Sequence, residues 1–294
     1  MDVAIQSLVS GLLIGGVYAL VATGLNLMFG VMKIVNFALG EFLMVGMYVA
    51  VGLAGVAVPG ALLGVYWVVI PTTVVMSGAG VLFFFLMLRR AARFGEGAQI
   101  LLTLGLSIFL QGVAQVVEGS DFKLVRTPVY GKAIHPAGLT IGIAQLVAFT
   151  VAIAVTAVMA WAIRYTHWGK TVRAVSESAE ISQTLGINAR TVFAVATGVS
   201  IGLAGLAGAL LMPYQYTFPN VGQSYVVIAF LAIVISGLGN VNGAIAGGLL
   251  LGVVQSLTAA YVSLDFSTAA MYVIFLAVLL LRPQGLFTRR MRTV

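Results

Sequence analysis

The sequence predicts an all-α fold, a polytopic helical membrane bundle of about eight to ten spans that includes broken or re-entrant helices. Three observations carry that reading. Of the 294 residues 61% are hydrophobic and only 8% charged, whereas soluble domains carry roughly a quarter charged residues. Mean hydropathy is +1.11, an excess that no single water-soluble core can hide. Between Asp2 and Lys33 there is no charge at all, and the same spacing of apolar runs and basic clusters recurs to the end of the chain.

Element by element, runs long enough to cross lipid fall at residues 4–29, 37–58, 61–88, 99–117, 139–163, 191–212, 225–238, 243–262 and 267–281. A span needs roughly 20 apolar residues. The seventh run is shorter than that and reads as a half-span or re-entrant piece. No Lys or Arg precedes Lys33, so the first run lacks the basic flank of a cleaved signal peptide and is expected to remain a span. No polar linker divides the chain, and one transmembrane domain over residues 1–294 is expected, with a cytoplasmic loop at 164–190.

The net charge of +7 does not point to nucleic acid, because the basic residues sit beside the ends of apolar runs, as positive-inside anchoring requires. Arg89, Arg90 and Arg93 form one cluster. Arg164, Lys170, Arg173 and Arg190 form a second, and Arg282, Arg289, Arg290 and Arg292 a third. Alternating spans put all three and Lys33 in the cytoplasm, with the N-terminus outside and the C-terminus inside. Lys123, Arg126 and Lys132 then fall in the outer loop 118–138, partly offset by Glu118 and Asp121. Alternation over 122–129 permits a short hairpin there, although a plain loop fits better. His135 is expected to face solvent, and His167 beside Trp168 to sit at the membrane interface.

Catalytic constellations are missing from the sequence. There is no cysteine and only two histidines, and no His-Glu-x-x-His pair. Gly169-Lys170-Thr171 lacks the upstream glycine of a phosphate loop, since position 164 is arginine. The chain is not expected to be an enzyme, and no cofactor or metal is expected. Polar groups at membrane depth default to functional hypotheses. Asn26, Asn36 and Glu41 are the candidates in the first half, with a one-turn-deep interfacial carboxylate near Lys33 as the plainer reading of Glu41. Asp265 is expected in an outer loop. Gly237-Leu238-Gly239-Asn240-Val241-Asn242-Gly243 punctuates two short apolar runs, and Gly24, Asn26, Gly30, Asn36 and Gly40 form a loosely similar break, a weak sign of internal duplication. Such breaks line pathways in transporters, so Asn26, Asn36, Glu41, Gly237, Gly239 and Asn240 are the expected lining. Gly198, Gly202, Gly205 and Gly208 lie on one side of the sixth span, a spacing suited to close helix packing.

The loop at 164–190 contains a short helix in which Ser176 is expected as the cap, Glu177 and Glu180 at the positive end, and Gly186 just past the C-terminus. Ile181 and Leu185 make one apolar edge. That helix either rests on its own bundle or docks on a partner. The segment, with its Arg173-Ala174 start and Gly186-Ile187 end, resembles the ATPase-docking loop of permeases in branched-chain amino-acid ABC importers. Residues 12–40, with Tyr18-Ala19-Leu20, Gly24-Leu25, Phe29-Gly30-Val31-Met32 and Asn36-Phe37-Ala38, are similar to the family's N-terminal signature. Gly239-Asn240, Gly243-Ala244 and Gly247-Gly248 match a second block, and Leu281-Arg282-Pro283-Gln284-Gly285-Leu286-Phe287 a third. Departures are Leu39, where the family often has histidine, Ser178 and Ser182, which replace an acid and an alanine, and Thr288 after Phe287.

The resemblance implies a permease of an ATP-driven importer in the bacterial inner membrane. Its partners would be a second homologous permease chain, two cytoplasmic ABC ATPases and an extracytoplasmic solute-binding protein. Substrates would be branched-chain amino acids or related amides, urea or small carboxylates. ATPase docking falls on Arg173, Glu177, Glu180, Ile181, Leu185, Gly186 and Ile187. An autonomous secondary transporter or channel is the alternative, and it would need coupling-ion ligands that are scarce here.

Overall fold

The computed structural model describes residues 3–55, 64–125, 127, 129–282 and 285–287. Arg126, Pro128, Pro283, Gln284, Thr288, Arg289, Arg290 and Arg292 lie outside the described residues, as do the facing ends of the runs expected at 37–58 and 61–88. The helices are α1 (Val3–Met32), α2 (Leu39–Ala54), α3 (Val69–Phe83), α4 (Arg89–Ala91), α5 (Glu96–Glu118) and α6 (Ile143–Tyr165). They continue with α7 (His167–Glu177), α8 (Ala179–Thr184), α9 (Ala189–Leu211), α10 (Val221–Ser236), α11 (Val241–Tyr261) and α12 (Leu264–Leu281). Each of the nine apolar runs contains one long helix, and α3 continues through a π-helical turn at Phe84–Leu88 into α4. Seven helical stretches among the described residues are long and apolar enough to cross a membrane, while α2 and α10 have 16 residues each. The chain is a multi-pass membrane protein.

Two helices form the centre. α9 and most of α1 are buried on all sides, whereas α5, α6 and α12 expose apolar side chains such as Ile108, Val158 and Leu280. Burial all round needs small residues, because backbones must come close where no water is released by helix contact in lipid. α1 and α11 run antiparallel along a glycine seam: a Cβ on Gly11 would lie 2.7 Å from Val253 Cα, and one on Gly15 would lie 2.9 Å from Leu249 Cα. The glycines of the sixth span are this same device on α9. Gly198, Gly202 and Gly205 face Val81, Ser77 and Met76 of α3, and Gly208 faces the Leu43–Met47 backbone of α2.

The break in the first half falls at residues 33–38, around Asn36, and not at Gly24, Asn26 or Gly30. α1 runs unbroken through Gly24 and Asn26 to Met32, and the chain leaves the helix at Lys33, which has φ 59°. A non-helical segment, residues 33–38, then leads to α2. A parallel pattern recurs later: α9, a non-helical segment, then the equally short α10. The first turns of α2 and α10 touch. A Cβ on Gly40 would sit 2.7 Å from the Gly222 carbonyl carbon and 3.0 Å from Val226 Cβ. Alternating spans put the starts of the second and seventh segments on opposite faces of a hydrocarbon layer about 30 Å thick. Since the two starts touch, both lie inside the bundle. The likeness between halves is therefore drawn best between Gly40-Glu41 and Gly222-Gln223. The Asn26 and Gly239 elements are instead in direct contact.

The two ends of the bundle are distinct. At one, Gln6 exchanges two hydrogen bonds with Thr140 (2.8 and 2.9 Å) and Lys123 pairs with Glu118 at 2.5 Å. Among the described residues a hairpin lies at Ala133–Ile134 with Ile141–Gly142 rather than over 122–129, where Lys123 instead bridges Thr217. At the other end Met32, Arg89, Arg93 and Arg190 surround one cavity.

Candidate functional site

The segment expected to dock, residues 164–190, folds as two short helices, not one. Thr166 caps α7 by accepting from the Gly169 N–H at 3.2 Å. Val172 and Val175 then bury against Leu27, Val31 and Val192 at the ends of α1 and α9. Ser176 is not a cap: its hydroxyl donates to the Arg173 carbonyl inside α7, and Glu177 is the last residue of that helix. The cap of α8 is Ser178, which accepts from the Ile181 N–H at 3.2 Å. An aspartate could do the same. Ser182 is 2% exposed, so only a residue near alanine in size fits. Gly186 ends the segment with φ 82°, and the N–H groups of Gly186 and Ile187 close on Gln183 and Ser182, the left-handed ending expected of a glycine there.

What this folding achieves is an unpartnered apolar edge. Ile181 is 65% and Leu185 74% exposed, with Glu177 and Glu180 exposed beside them and Ile187 half-buried against the bundle. Arg173 donates to the Ile163 carbonyl at the end of α6, so it braces the segment while its surface stays exposed. The edge is held by α7, which packs onto α1, α6 and α9.

The residues expected to line a pathway fall into two groups. Asn26 Oδ1 accepts the Gly239 N–H at 2.6 Å, Gly237 and Gly239 have φ 97° and 84°, and Asn240 caps α11 while donating to the Phe287 carbonyl. Leu286 N–H donates to the Ile235 carbonyl at 2.8 Å, and a Cβ on Gly285 would lie 2.6 Å from Gly237 Cα. The three sequence blocks thus meet at one knot, a tight turn between α10 and α11 rather than a helix broken at mid-span. Asn36 and Glu41 belong to the second group. Asn36 Oδ1 accepts from the Ala38 N–H, and its amide nitrogen has no partner.

Glu41 is fully buried and is not an interfacial carboxylate. Its Oε1 accepts from Ser107 (3.0 Å) and Gln111 (2.6 Å) of α5, while Oε2 has no partner. Gln111 accepts in turn from Gln223 at 3.5 Å. Gln223 also lines a cavity of about 420 Å³ with Tyr18, Gln215, Ser224, Gln255 and Thr268, where Tyr18 donates to Gln255 at 2.6 Å. A polar seam therefore joins α2, α5 and α10 to this cavity where the two short helices begin. Residue-type reasoning missed Ser107, Gln111, Gln223 and Gln255. The available signal was a glutamine inside an apolar run, as exposed polar groups in lipid find partners or function.

The family model "Branched-chain amino acid transport system / permease component" matches residues 7–282. The chain belongs to this family. It is 30% identical over 301 residues to the high-affinity branched-chain amino acid transport system permease protein BraD of Pseudomonas aeruginosa, covering 97% of this chain and 96% of that one. It is 29% identical over 296 residues to the LivH permease protein of Escherichia coli K12, with the same coverage. A probable LivH of Methanocaldococcus jannaschii is 27% identical over 286 residues, covering 91% and 87%. No solved structure matches the chain.

Proposed function

We propose that this permease is the membrane-spanning subunit of an ATP-driven importer of branched-chain amino acids. The whole chain acts as one translocation domain that catalyses no reaction itself. A homologous permease chain would complete the pathway, two ABC ATPases would supply the work from the cytoplasm, and an extracytoplasmic binding protein would deliver the solute. The observation that carries this is the exposed Ile181–Leu185 edge on a segment whose other face is locked to α1 and α9. Arg173, Glu177, Glu180, Gly186 and Ile187 frame or shape that edge. Basic clusters at the α3–α4 and α6–α9 turns and at Arg282 support an inner-membrane orientation with the N-terminus outside and the C-terminus inside.

The solute would pass where α2 and α10 meet, beside Glu41 and Asn36. The Asn26–Gly239–Asn240 knot would act as the inner hinge, with Gly237 supplying its turn. Alternating access follows if ATPase movement biases two arrangements of that meeting point. Uptake of labelled leucine by proteoliposomes holding the assembled complex tests the reading. Uptake should need enclosed ATP and the binding protein together. Equal uptake without ATP would favour an autonomous transporter.

A further inference from the structure

Outside the polar seam, the basic end of the bundle holds a second cavity of about 270 Å³ between the ends of α1, α4 and α9 and the start of α5. We infer that it binds the phosphodiester headgroup of an anionic, hydroxyl-bearing membrane lipid, of the phosphatidylglycerol type. Arg89, Arg93 and Arg190 all line it, and no carboxylate does. The π-helical turn at Phe84–Leu88 sets this up. It buries Phe84 and Leu88 together and delivers Arg89 and Arg93 one helical turn apart on the cavity side. Arg90 points elsewhere and donates to the Leu86 carbonyl.

Among the described residues none of these three arginines has a carboxylate partner; like charges lining one cavity repel each other unless an anion joins them, and guanidinium forks suit phosphate oxygens. A second observation points to a hydroxyl. Gln99 also lines the cavity, is 7% exposed, and its Oε1 has no hydrogen-bond donor. An O–H on the headgroup would satisfy it, which a choline headgroup cannot do. The setting favours a lipid over a soluble anion. The cavity walls include Phe84 and Phe193, and the neighbouring surface exposes Phe94 (80%) and Leu101 (72%). Basic pockets between spans at the membrane surface commonly take anionic headgroups.

Native mass spectrometry of the full chain released from micelles doped with phosphatidylglycerol or phosphatidylcholine tests this, with inorganic phosphate as a competitor. The expected result is retention of phosphatidylglycerol at least tenfold over phosphatidylcholine, unchanged by millimolar phosphate. Each arginine should contribute about fivefold, so Arg89→Gln/Arg93→Gln/Arg190→Gln should abolish the preference while Arg90→Gln keeps it. If the triple variant does not run as a monodisperse species, Arg190→Gln alone should lower retention about fivefold. Equal retention of both lipids, displacement by phosphate, or an unchanged preference in the arginine variants would overturn the assignment.

Discussion

Alanine at Gly40 is the sharpest probe of the meeting point between α2 and α10. A methyl there would stand 2.7 Å from a backbone carbonyl carbon of α10 and 3.0 Å from Val226 Cβ, where ordinary contacts are 3.4–4 Å. Neither obstacle is the free end of a side chain, so the helices must part by about 1 Å, forfeiting up to half of each facing dispersion contact. Overpacking of this kind costs about 1–3 kcal/mol. Gly97 is the matched control, because it too is the second residue of its helix, α5, and has nothing within 4 Å of a placed Cβ. Any gain from alanine's propensity is common to both, so the difference between Gly40→Ala and Gly97→Ala is the overpacking alone. Unfolding of the two full-length variants in mixed micelles of rising SDS fraction reads it directly. The geometry requires Gly40→Ala to be less stable by about 1–3 kcal/mol and to transport more slowly. Two indistinguishable unfolding curves would refute a backbone crossing at this point.

Other consequences follow from single contacts. Asn26→Leu removes the acceptor of the Gly239 N–H and should cost about 1–3 kcal/mol in the same unfolding assay, with uptake falling further than in Asn26→Asp, which keeps an acceptor. Ser178→Ala should weaken α8 by about 1 kcal/mol while Ser178→Asp restores the cap, a pattern read from ATPase co-purification. In this cysteine-free chain, an impermeant thiol reagent applied to intact cells should label Tyr130→Cys and spare Gln183→Cys. The opposite pattern would invert the orientation.

Much of the fold is legible because membrane spans are bounded by chemistry that needs no tertiary context. All nine apolar runs hold helices, and the seventh is short as its length required. The second is as short, which its apolar composition concealed, because Ile34, Val35, Phe37 and Ala38 keep the apolar character although residues 33–38 are not helical. Asn26 looked like a helix break because asparagine seldom rests in a helix interior. Here its side-chain oxygen is taken by Gly239, more than 200 residues away, and no local pattern encodes such a partner. Ser176 and Ser178 are equally good caps by residue type, and only the seating of Val172 and Val175 on α1 and α9 decides between them. Glu41 was visible as a charge in an apolar run, but its partners were not. Ser107 and Gln111 reside on a helix that is otherwise lipid-like, so their inward face emerges only when α5 is laid against α2. The exposed apolar edge was the most legible feature, since Ile181, Leu185 and Gly186 lie within one local stretch.

Co-purification of the ATPase with Leu185→Asp, together with leucine uptake by the same complex, tests the central claim most directly. Leu185 is 74% exposed in the single chain, so the substitution leaves the bundle's core untouched and acts only on what covers that edge. An apolar interface anchor commonly carries 2 kcal/mol or more, and burying an unpaired carboxylate in its place adds to that loss. Leu185→Asp is expected to insert and fold like the unaltered chain, yet to recover less than about a tenth of the ATPase and to lose ATP-driven uptake. Full recovery of the ATPase with full uptake would contradict it and leave α8 a brace on its own bundle.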